Sequence, residues 1–267
     1  MSESKLSSFL LHQAEQVIKV IPVPELNTIL VQGVAQGKSE STLYAFQLPV
    51  PKALWEVSLS IHIPGWPSLQ SVIDGKACFS CFPDPSLPAT EGLYVFDLRK
   101  QQWIIKEKEY SFIKIEGKNL LIRKAGDEEN FYLLDLATLA VNLYPRIKSM
   151  QLTKPSTEGI LYPYHIGEEN PLYPELSAFV KEKAAHSLVG MVEYLEWKNE
   201  RIVLSYYIEA GKELDQYLLI TDKDSEVLWQ ERIDDQLKGM ALDVFMIVQQ
   251  QCIYVKDKNQ LRIYDLS

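Results

Sequence analysis

The sequence is poor in the residue types that most often carry chemistry, with three cysteines and four histidines among 267 residues. An odd number of cysteines provides no disulfide framework. The histidines are scattered, and none accompanies a motif serine or cysteine: His12, His62, His165 and His186. The nucleophile-elbow, P-loop and dinucleotide-binding motifs are missing as well, so no linear signature identifies an enzyme.

Basic runs and long apolar runs are also missing. The formal net charge is −9, and an acidic chain is repelled by phosphate backbones and by anionic lipid headgroups. We therefore expect neither nucleic acid nor a membrane surface as a partner. No stretch approaches the ~18 apolar residues of a membrane span, and the apolar run at 9–12 is too short for a secretory signal. These features predict a soluble cytoplasmic protein whose partner, a protein or a small molecule, is unknown.

Strand-forming aromatic residues, in contrast, are plentiful and repeat along the chain, with 14 Tyr, 9 Phe and 5 Trp. Five segments align: LYAFQLPVPKALW (43–55), LYVFDLRKQQW (93–103), FYLLDLATLAVNL (131–143), QYLLITDKDSEVLW (216–229) and LRIYDLS (261–267). Each begins as a strand, and most then carry Asp or Gln, a polar turn and a second apolar run. We expect Asp97, Asp135 and Asp265 to end their strands by accepting a hydrogen bond from the backbone two residues further on.

Two more strand candidates precede each segment, such as ALDVFMIV (241–248) and CIYVKD (252–257) before the last one. Four antiparallel strands repeated every ~40–50 residues are typical of β-propeller blades. The interval between the third and fourth segments is nearly twice as long, and its extra residues lie at about 146–186. They predict either a degenerate sixth blade, which their length favours, or an insertion on five blades that contains a short helix, PELSAFVKEKAA (174–185).

The L-Y-x-[FL]-D-L…W unit resembles the repeat of quinoprotein-type and WD40-like β-propellers over most of the chain outside 146–186. It lacks the Gly-His and Trp-Asp signatures of WD40 repeats and the tryptophan-docking repeat of quinoprotein dehydrogenases. The chain is also similar to small intracellular bacterial propellers. These resemblances imply a fold and supply no activity. We expect an all-β fold, with one propeller domain over 1–267 built from five or six four-stranded antiparallel blades, one of the six degenerate.

The last repeat stops before its fourth strand, whereas a spare segment, KLSSFLLHQ (5–13), precedes the first repeat. We expect this segment to supply the missing outer strand and so close the ring, because the pairing would cover an exposed sheet edge. The alternative is a short N-terminal helix that lies on a blade. The predicted core consists of side chains stacked between blades: Tyr44, Phe46, Trp55, Tyr94, Phe96, Tyr132, Leu134, Tyr217, Trp229 and Tyr264.

Two long loops carry the candidates for ligand binding. One is SIHIPGWPS (60–68), between two predicted blades, and the other is LYPYHIGEENPLYP (161–174). Aromatic side chains with polar tips suit a ligand or protein surface. The alternative is that prolines and aromatic residues only hold the two loops in place. The candidate residues are His62, Trp66, Tyr162, Tyr164, His165 and Tyr173.

Neither a metal nor a cofactor is expected. Cys78 and Cys81 have a metal-like spacing, but a structural zinc usually needs four ligands, and residues three apart in a strand face opposite sides. Both cysteines are therefore predicted to be buried strand residues. The acidic stretches GDEEN (126–130) and DKDSE (222–226) lack the ligand spacing of calcium loops and are interpreted as solvated hairpin turns.

Two functions stay open. We favour a non-catalytic binding or scaffold propeller, and the alternative is a hydrolase or lyase acting on a carbohydrate or other small ligand at the mouth of the central channel. Carboxylates that converge with His62 or His165 in one mouth of the channel would favour the enzyme. A flat, exposed aromatic patch would favour partner binding.

Overall fold

The computed structural model describes residues 5–11, 15–48, 52–86, 89–127, 129–144 and 159–267. Helix α1 spans Tyr173–Ala184, and a 3₁₀ turn spans Pro24–Leu26. The strands are β1 (Leu6–Leu10), β2 (Glu15–Val23), β3 (Thr28–Ala35), β4 (Ser41–Gln47), β5 (Lys52–Ser58), β6 (Trp66–Ile73), β7 (Lys76–Phe82), β8 (Glu91–Asp97), β9 (Gln102–Glu107), β10 (Tyr110–Glu116), β11 (Asn119–Lys124), β12 (Phe131–Asp135), β13 (Val141–Tyr144), β14 (Ile160–Leu161), β15 (Tyr164–Ile166), β16 (Leu188–Trp197), β17 (Arg201–Ala210), β18 (Glu213–Asp222), β19 (Val227–Leu237), β20 (Phe245–Val248), β21 (Gln251–Lys256) and β22 (Gln260–Asp265).

Within these ranges the strands form five antiparallel sheets. Sheet 1 has the order β2-β3-β4-β5, sheet 2 the order β6-β7-β8-β9 and sheet 3 the order β10-β11-β12-β13, and together they make one compact unit. Sheet 4 (β15-β16-β17-β18-β19) and sheet 5 (β1-β22-β21-β20-β14) make a second unit. The fold is all-β and of the β-propeller class, as the sequence predicted. The single domain over 1–267 stays a prediction.

The repeat in the sequence corresponds to one position in every sheet. The five aligned segments overlap β4, β8, β12, β18 and β22, each of which lies next to an edge strand of its own sheet. The predicted turns after these strands are confirmed at Asp97, Asp135 and Asp265. Their Oδ1 atoms accept hydrogen bonds from the backbone amides of Arg99, Ala137 and Ser267 at 3.0, 2.7 and 2.9 Å.

The N-terminal segment completes sheet 5. Strand β1 lies antiparallel to β22, with Leu6 opposite Tyr264 and Leu10 opposite Gln260. The amide of Leu11 extends the pairing by donating to the carbonyl of Asn259 at 3.1 Å. The predicted outer strand is therefore confirmed over Leu6–Leu10, and the alternative of an N-terminal helix is wrong for these residues.

The segment at 146–186 does not form a blade of its own in the part that the structure describes, 159–186. Strand β14 joins sheet 5 beside β20, and β15 joins sheet 4 beside β16. Helix α1 follows, with Pro174 in its first turn, where the missing amide hydrogen costs nothing. This agrees with the alternative of five blades and a short helix rather than with a degenerate sixth blade. The first part of the segment, 146–158, lies outside the described residues.

Apolar side chains fill the space between neighbouring sheets of the 15–144 unit. One cluster joins sheets 1 and 2 and includes Leu43, Phe79 and Phe96. Another joins sheets 2 and 3 and includes Val95 and Leu120. Successive side chains of β8 thus face opposite sheets, Phe96 toward sheet 1 and Val95 toward sheet 3, so both faces of sheet 2 are removed from water.

A buried amide also connects sheets 1 and 2. The side chain of Gln32 is fully buried, and its Nε2 donates to the carbonyl of Pro67 at 2.7 Å. Its Oε1 accepts from the amide of Leu69 at 2.8 Å. Because both partners belong to β6, this one side chain satisfies two backbone groups of the adjacent sheet and fixes the position of that strand.

In the other unit, sheets 4 and 5 share a cluster that includes Trp197, Phe245 and Tyr264. Helix α1 packs through Val180 against sheet 4. Six of the ten predicted core residues are buried as expected: Tyr44, Phe46, Tyr94, Phe96, Leu134 and Tyr264. The other four are half-buried at the sheet margins: Trp55, Tyr132, Tyr217 and Trp229.

The two sequence features that resembled metal sites have structural roles. Cys78 and Cys81 are buried in β7, and burial raises the pKa of both thiols. The stretch 222–226 is the turn between β18 and β19, where Asp222 Oδ1 accepts hydrogen bonds from the amides of Asp224 and Glu226. Both interpretations made from the sequence are confirmed.

Candidate functional site

Three ionisable side chains from separate segments meet in the unit formed by sheets 4 and 5. We call His165, Glu193 and Asp243 the His165 cluster. His165 lies on β15 directly opposite Glu193 on β16, so the strand pairing places both side chains on the same face. Asp243 comes from the connection between β19 and β20. The Nε2 atom of His165 is 3.4 Å from Glu193 Oε1 and 3.1 Å from Asp243 Oδ1.

Glu193 is the anchor of the cluster because it is almost completely buried, with 1% of the residue exposed. Its two carboxylate oxygens accept hydrogen bonds from the amide of Val244 at 3.3 and 3.1 Å. Burial raises the pKa of Glu193 to about 7, although these backbone hydrogen bonds and the nearby His165 act in the opposite direction. The carboxyl group is thus fixed in position by the backbone that carries Asp243.

Tyr207 holds the same connection from the other side. Its buried hydroxyl accepts hydrogen bonds from the amide of Ala241 at 2.8 Å and from Gln216 Nε2 at 2.7 Å, and it lies 3.2 Å from the Ala241 carbonyl, to which it donates. Asp243 itself adopts a positive φ of 55°, a left-handed conformation that Asp tolerates better than most residues. The backbone therefore presents the Asp243 carboxylate to His165 in a defined orientation.

The donor atoms of the three side chains all lie within 4.8 Å of one another. Among the residues that the structure describes, this is the one group of three or more His, Cys, Asp and Glu side chains with such a geometry. Atoms bound to one ion at about 2.1 Å, with angles between 90° and 109°, lie about 3.0–3.4 Å apart. The distances from His165 Nε2 to the two carboxylates fall in this interval, so the cluster needs little adjustment to hold a cation.

Several exposed apolar residues are neighbours of the cluster residues in the chain. Tyr164 precedes His165 and is 73% exposed, and Leu242 precedes Asp243 and is 60% exposed. Tyr162 is near enough that the Asp243 carboxylate, together with burial, raises the pKa of its hydroxyl. Met240 lies over Gly190, where a Cβ atom would come within 2.0 Å of the Met240 Cε atom.

The six candidates from the sequence are divided between the two units. Tyr162, Tyr164 and His165 lie at or beside the His165 cluster, whereas Tyr173 begins α1, where burial and the neighbouring Glu168 raise its pKa. The other two candidates belong to the other unit.

His62 and Trp66 have separate surroundings in that unit. The Nδ1 atom of His62 is 3.1 Å from Lys106 Nζ, and its ring centroid is 5.2 Å from that of Trp103. Burial and the charge of Lys106 lower the pKa of His62. Trp66 begins β6 and pairs with Phe82. The loop at 60–68 therefore does not bring its two aromatic candidates together.

Sequence reasoning missed Glu193 and Asp243. Glu193 is one of two glutamates in the otherwise apolar stretch LVGMVEYLEW, and its position inside that stretch is a weak signal, because charged side chains are rarely buried without a partner. Asp243 was included in a predicted strand at 241–248, but the strand begins at Phe245. The correction leaves Asp243 in the connection that approaches His165.

Comparisons with known proteins yielded fold-level likenesses alone. No family model and no curated protein matches the sequence. Among solved structures, the β-propeller domain of the Trilobed protease from Pyrococcus furiosus is 11% identical, with a TM-score of 0.33, over 94% of this chain and 66% of that one. An acylaminoacyl peptidase from Pyrococcus horikoshii is 13% identical, with a TM-score of 0.32, over 94% and 38%. AztD from Citrobacter koseri is 12% identical, with a TM-score of 0.27, over 94% and 68%.

This chain therefore spans less than two thirds of the length of the two Pyrococcus proteins. At these identities and TM-scores the likenesses carry no argument about activity or ligands, and the fold assignment depends on the sheets described above. In the described residues, no helix has the length and apolar character needed to cross a bilayer.

Proposed function

We propose that this chain is a non-catalytic binding module whose ligand site is the His165 cluster, and that the cluster holds one divalent metal ion. The observation that carries the proposal is the convergence of one imidazole and two carboxylates, from three separate segments, at distances typical of a shared ion. The sequence favoured a binding module, and the cluster gives that module a site with defined chemistry.

The ligand set restricts the choice of metal. One nitrogen and two carboxylate oxygens suit zinc, manganese or ferrous iron. Calcium prefers six to eight oxygen ligands and is a poor match for a set that includes His165. Three protein ligands also leave coordination positions open. A bound ion could therefore contact a second molecule at this surface.

The surrounding hydrogen bonds support the proposal because metal sites depend on oriented ligands. The amide of Val244 fixes the Glu193 carboxylate, and Tyr207 fixes the connection that bears Asp243. The ligands would therefore lose little side-chain freedom when an ion binds. The competing explanation is that the three side chains form only a hydrogen-bonded network that holds the β19–β20 connection against sheet 4.

The alternative function, a hydrolase or lyase, is also supported by this cluster, because two carboxylates that meet at His165 are a feature expected of the enzyme. A metal ion with open coordination positions can activate water or polarise a carbonyl group. The same geometry is compatible with that chemistry, so the metal must be established before a reaction is sought. The protein-wide absence of a linear catalytic motif makes the binding module our first choice.

The test is direct metal binding by the purified, untagged chain after chelator treatment. Isothermal titration with Zn²⁺ or Mn²⁺ should show one ion per chain, and Ca²⁺ should bind far more weakly. His165→Ala should reduce the affinity by about 100-fold or more, because it removes one of three ligands. Asp243→Asn should also reduce it. His62→Ala, which removes a histidine from the other unit, is the matched control and should bind as the wild type does.

Two results would contradict the proposal. One is a wild-type chain that binds none of these ions at millimolar concentration. The other is an affinity that His165→Ala and Asp243→Asn leave unchanged, since the ion would then occupy a different place. Both variants alter partly exposed side chains, so circular dichroism should confirm that each remains folded.

A further inference from the structure

A second candidate site lies in the other unit, within sheet 2 and the connection that leads into it. A cavity of about 300 Å³ is bordered by Pro64 and Gly65 from the β5–β6 connection, by Cys81 at the end of β7, and by Glu91 at the start of β8. This volume is at the lower end of the range for small-molecule pockets. The cavity shares no residue with the His165 cluster.

Two glycines keep the backbone walls of this cavity free of side chains. Gly65 and Gly92 both have positive φ angles, of 71° and 70°. A Cβ atom on Gly65 would lie 2.7 Å from the carbonyl oxygen of Phe82, and one on Gly92 would lie 2.6 Å from Tyr94 Cε2. Neither position can accept a larger residue without moving its neighbour. The two glycines therefore allow the β5–β6 connection, the end of β7 and the start of β8 to approach one another closely.

The inner wall of the cavity is polar. Cys81 is buried, and its thiol donates to the carbonyl of Glu91 at 3.1 Å. Tyr94 is 2% exposed, and its hydroxyl lies beside that thiol without a well-formed hydrogen bond. Burial, reinforced by Cys81 and Glu91, raises the pKa of Tyr94 to about 12, so the hydroxyl keeps its proton at neutral pH. A buried hydroxyl without a good partner is uncommon and needs an explanation.

Two oppositely charged side chains lie at the entrance of the cavity. Glu91 and Lys108 both line the cavity, and both act electrostatically on the Cys81 thiol, Glu91 raising its pKa and Lys108 lowering it. Within the described part of the chain, neither charged side chain forms an ion pair, with each other or with another residue. The entrance thus offers one negative and one positive group that are close to the same thiol but unpaired.

We infer that this cavity binds a small zwitterion, a free amino acid or a dipeptide, with its ammonium group at Glu91 and its carboxylate at Lys108. Separate charges of opposite sign on the ligand would match the two unpaired charges of the protein. The remaining atoms of the ligand would enter the space between the β5–β6 connection and Tyr94. This inference is independent of the proposed metal site, because the two sites belong to different units and share no residue.

The probes are the twenty free amino acids and a set of dipeptides, screened by thermal shift and measured by isothermal titration on the untagged full chain. At least one zwitterion should bind with 1:1 stoichiometry. Two kinds of analogue of that zwitterion test the two contacts, one without the amino group and one with the carboxylate converted to an amide or ester. Each analogue should bind at least about tenfold more weakly than the zwitterion, because each lacks one charge-assisted contact.

Variants at the entrance separate this site from adventitious binding. Glu91→Gln and Lys108→Met should each weaken the binding of the zwitterion by about tenfold or more. Because both side chains are exposed, the fold should be retained in both variants. Lys212→Met, at an exposed turn in the other unit, removes the same charge elsewhere and should have no effect. His165→Ala should also leave this affinity unchanged.

The inference is overturned if no amino acid or dipeptide binds to the wild-type chain at millimolar concentration. It is equally overturned if one binds but Glu91→Gln and Lys108→Met bind it as tightly as the wild type does. Metal titrations on the same two variants keep the failure of this inference distinct from failure of the metal site, since both should bind Zn²⁺ or Mn²⁺ normally.

Discussion

A proline at position 7 should destabilise the sheet that β1 shares with β22, whereas a proline at position 8 should be tolerated. The amide of Asp265 donates to the carbonyl of Lys5, and the amide of Leu11 donates to the carbonyl of Asn259. Hydrogen-bonded pairs alternate in an antiparallel ladder. Ser7 therefore directs its amide toward Ile263, and Ser8, opposite Arg262, directs its amide away from β22.

The expected magnitude follows from what each proline removes. Ser7→Pro loses a backbone hydrogen bond worth about 1 kcal/mol and leaves the Ile263 carbonyl without its partner, which costs a further ~1–3 kcal/mol. We expect a total of about 2–4 kcal/mol. Ser8→Pro keeps the ladder intact, because β1 is the edge strand of sheet 5 and the lost amide faces outward. Its cost should stay below about 1 kcal/mol.

Two measurements test this pair. Urea unfolding gives the difference in stability, with Ser7→Ala as the control for loss of the hydroxyl. Amide hydrogen exchange of the 260–265 segment reports on local opening and should accelerate by about 30-fold or more in Ser7→Pro alone. Equal effects of the two prolines, or a larger effect at position 8, would refute the register and the alternation derived from it.

The other predictions concern three places in the fold. Gln32→Leu should cost about 2–4 kcal/mol, because it leaves buried backbone groups of sheet 2 unpaired, and Gln32→Glu should cost more, since a carboxylate cannot donate. Trp197→Ala should cost about 3–5 kcal/mol, and Trp229→Ala, which removes a half-buried ring, should cost less. Urea unfolding checks both comparisons. The charge of Lys76, followed by a hydrogen bond from Arg99, lowers the pKa of Asp74. Asp74→Asn should therefore lose less than about 1 kcal/mol at pH 7, and unfolding at several pH values should show this difference begin to decline near pH 4 and vanish below the depressed folded pKa of Asp74.

Each of these expectations has a contradicting result. A Gln32→Leu variant as stable as the wild type would show that the amide bridge between sheets 1 and 2 contributes nothing. A larger loss at Trp229 than at Trp197 would mean that the ring exposures do not govern the packing energy. A stability difference for Asp74→Asn that grows as the pH falls would have the wrong sign for a carboxyl group whose folded pKa is depressed.

Strand positions and strand ends could be predicted from the sequence because both are local properties. Tyr94 and Phe96 lie two residues apart in β8, and the alternation places both side chains on one face of the sheet. Asp97 ends that strand through its own side chain. The placement of β1 was also predictable, because the last repeat lacked one strand and a spare strand candidate was available.

The segment at 159–186 could not be assigned in the same way. Strands β14 and β15 have two and three residues, which is too short for any periodicity to be visible. Each is formed only by pairing with the edge of a different sheet, so their existence depends on tertiary contacts. The helix was more accessible, since Pro174 and the Ala, Lys and Glu residues that follow favour a helix locally.

The candidate metal site was predictable in one residue of three. His165 attracted attention because it lies among aromatic residues in a long loop. The position of Glu193 in β16 depends on a bulge between Val189 and Val192, and its partner strand β15 is identifiable only from the structure. Asp243 adopts a left-handed backbone conformation that could not be predicted from the sequence. Residues that are distant in the sequence converge because of the sheet topology, and the composition of the chain gives little information about which of them will meet.

The pairing of β1 with β22 has a consequence for biosynthesis. The side chain of Lys5 donates a hydrogen bond to the backbone carbonyl of Ser267, a group 262 positions later in the chain. At the ~5–20 residues per second of translation, β1 emerges roughly 10 to 50 s before its partner strand has been synthesised. During this interval the nascent chain carries an unmatched strand, a potential template for mispairing with neighbouring polysomal chains. Covering β1 until β22 has been synthesised should therefore raise the yield of correctly folded protein.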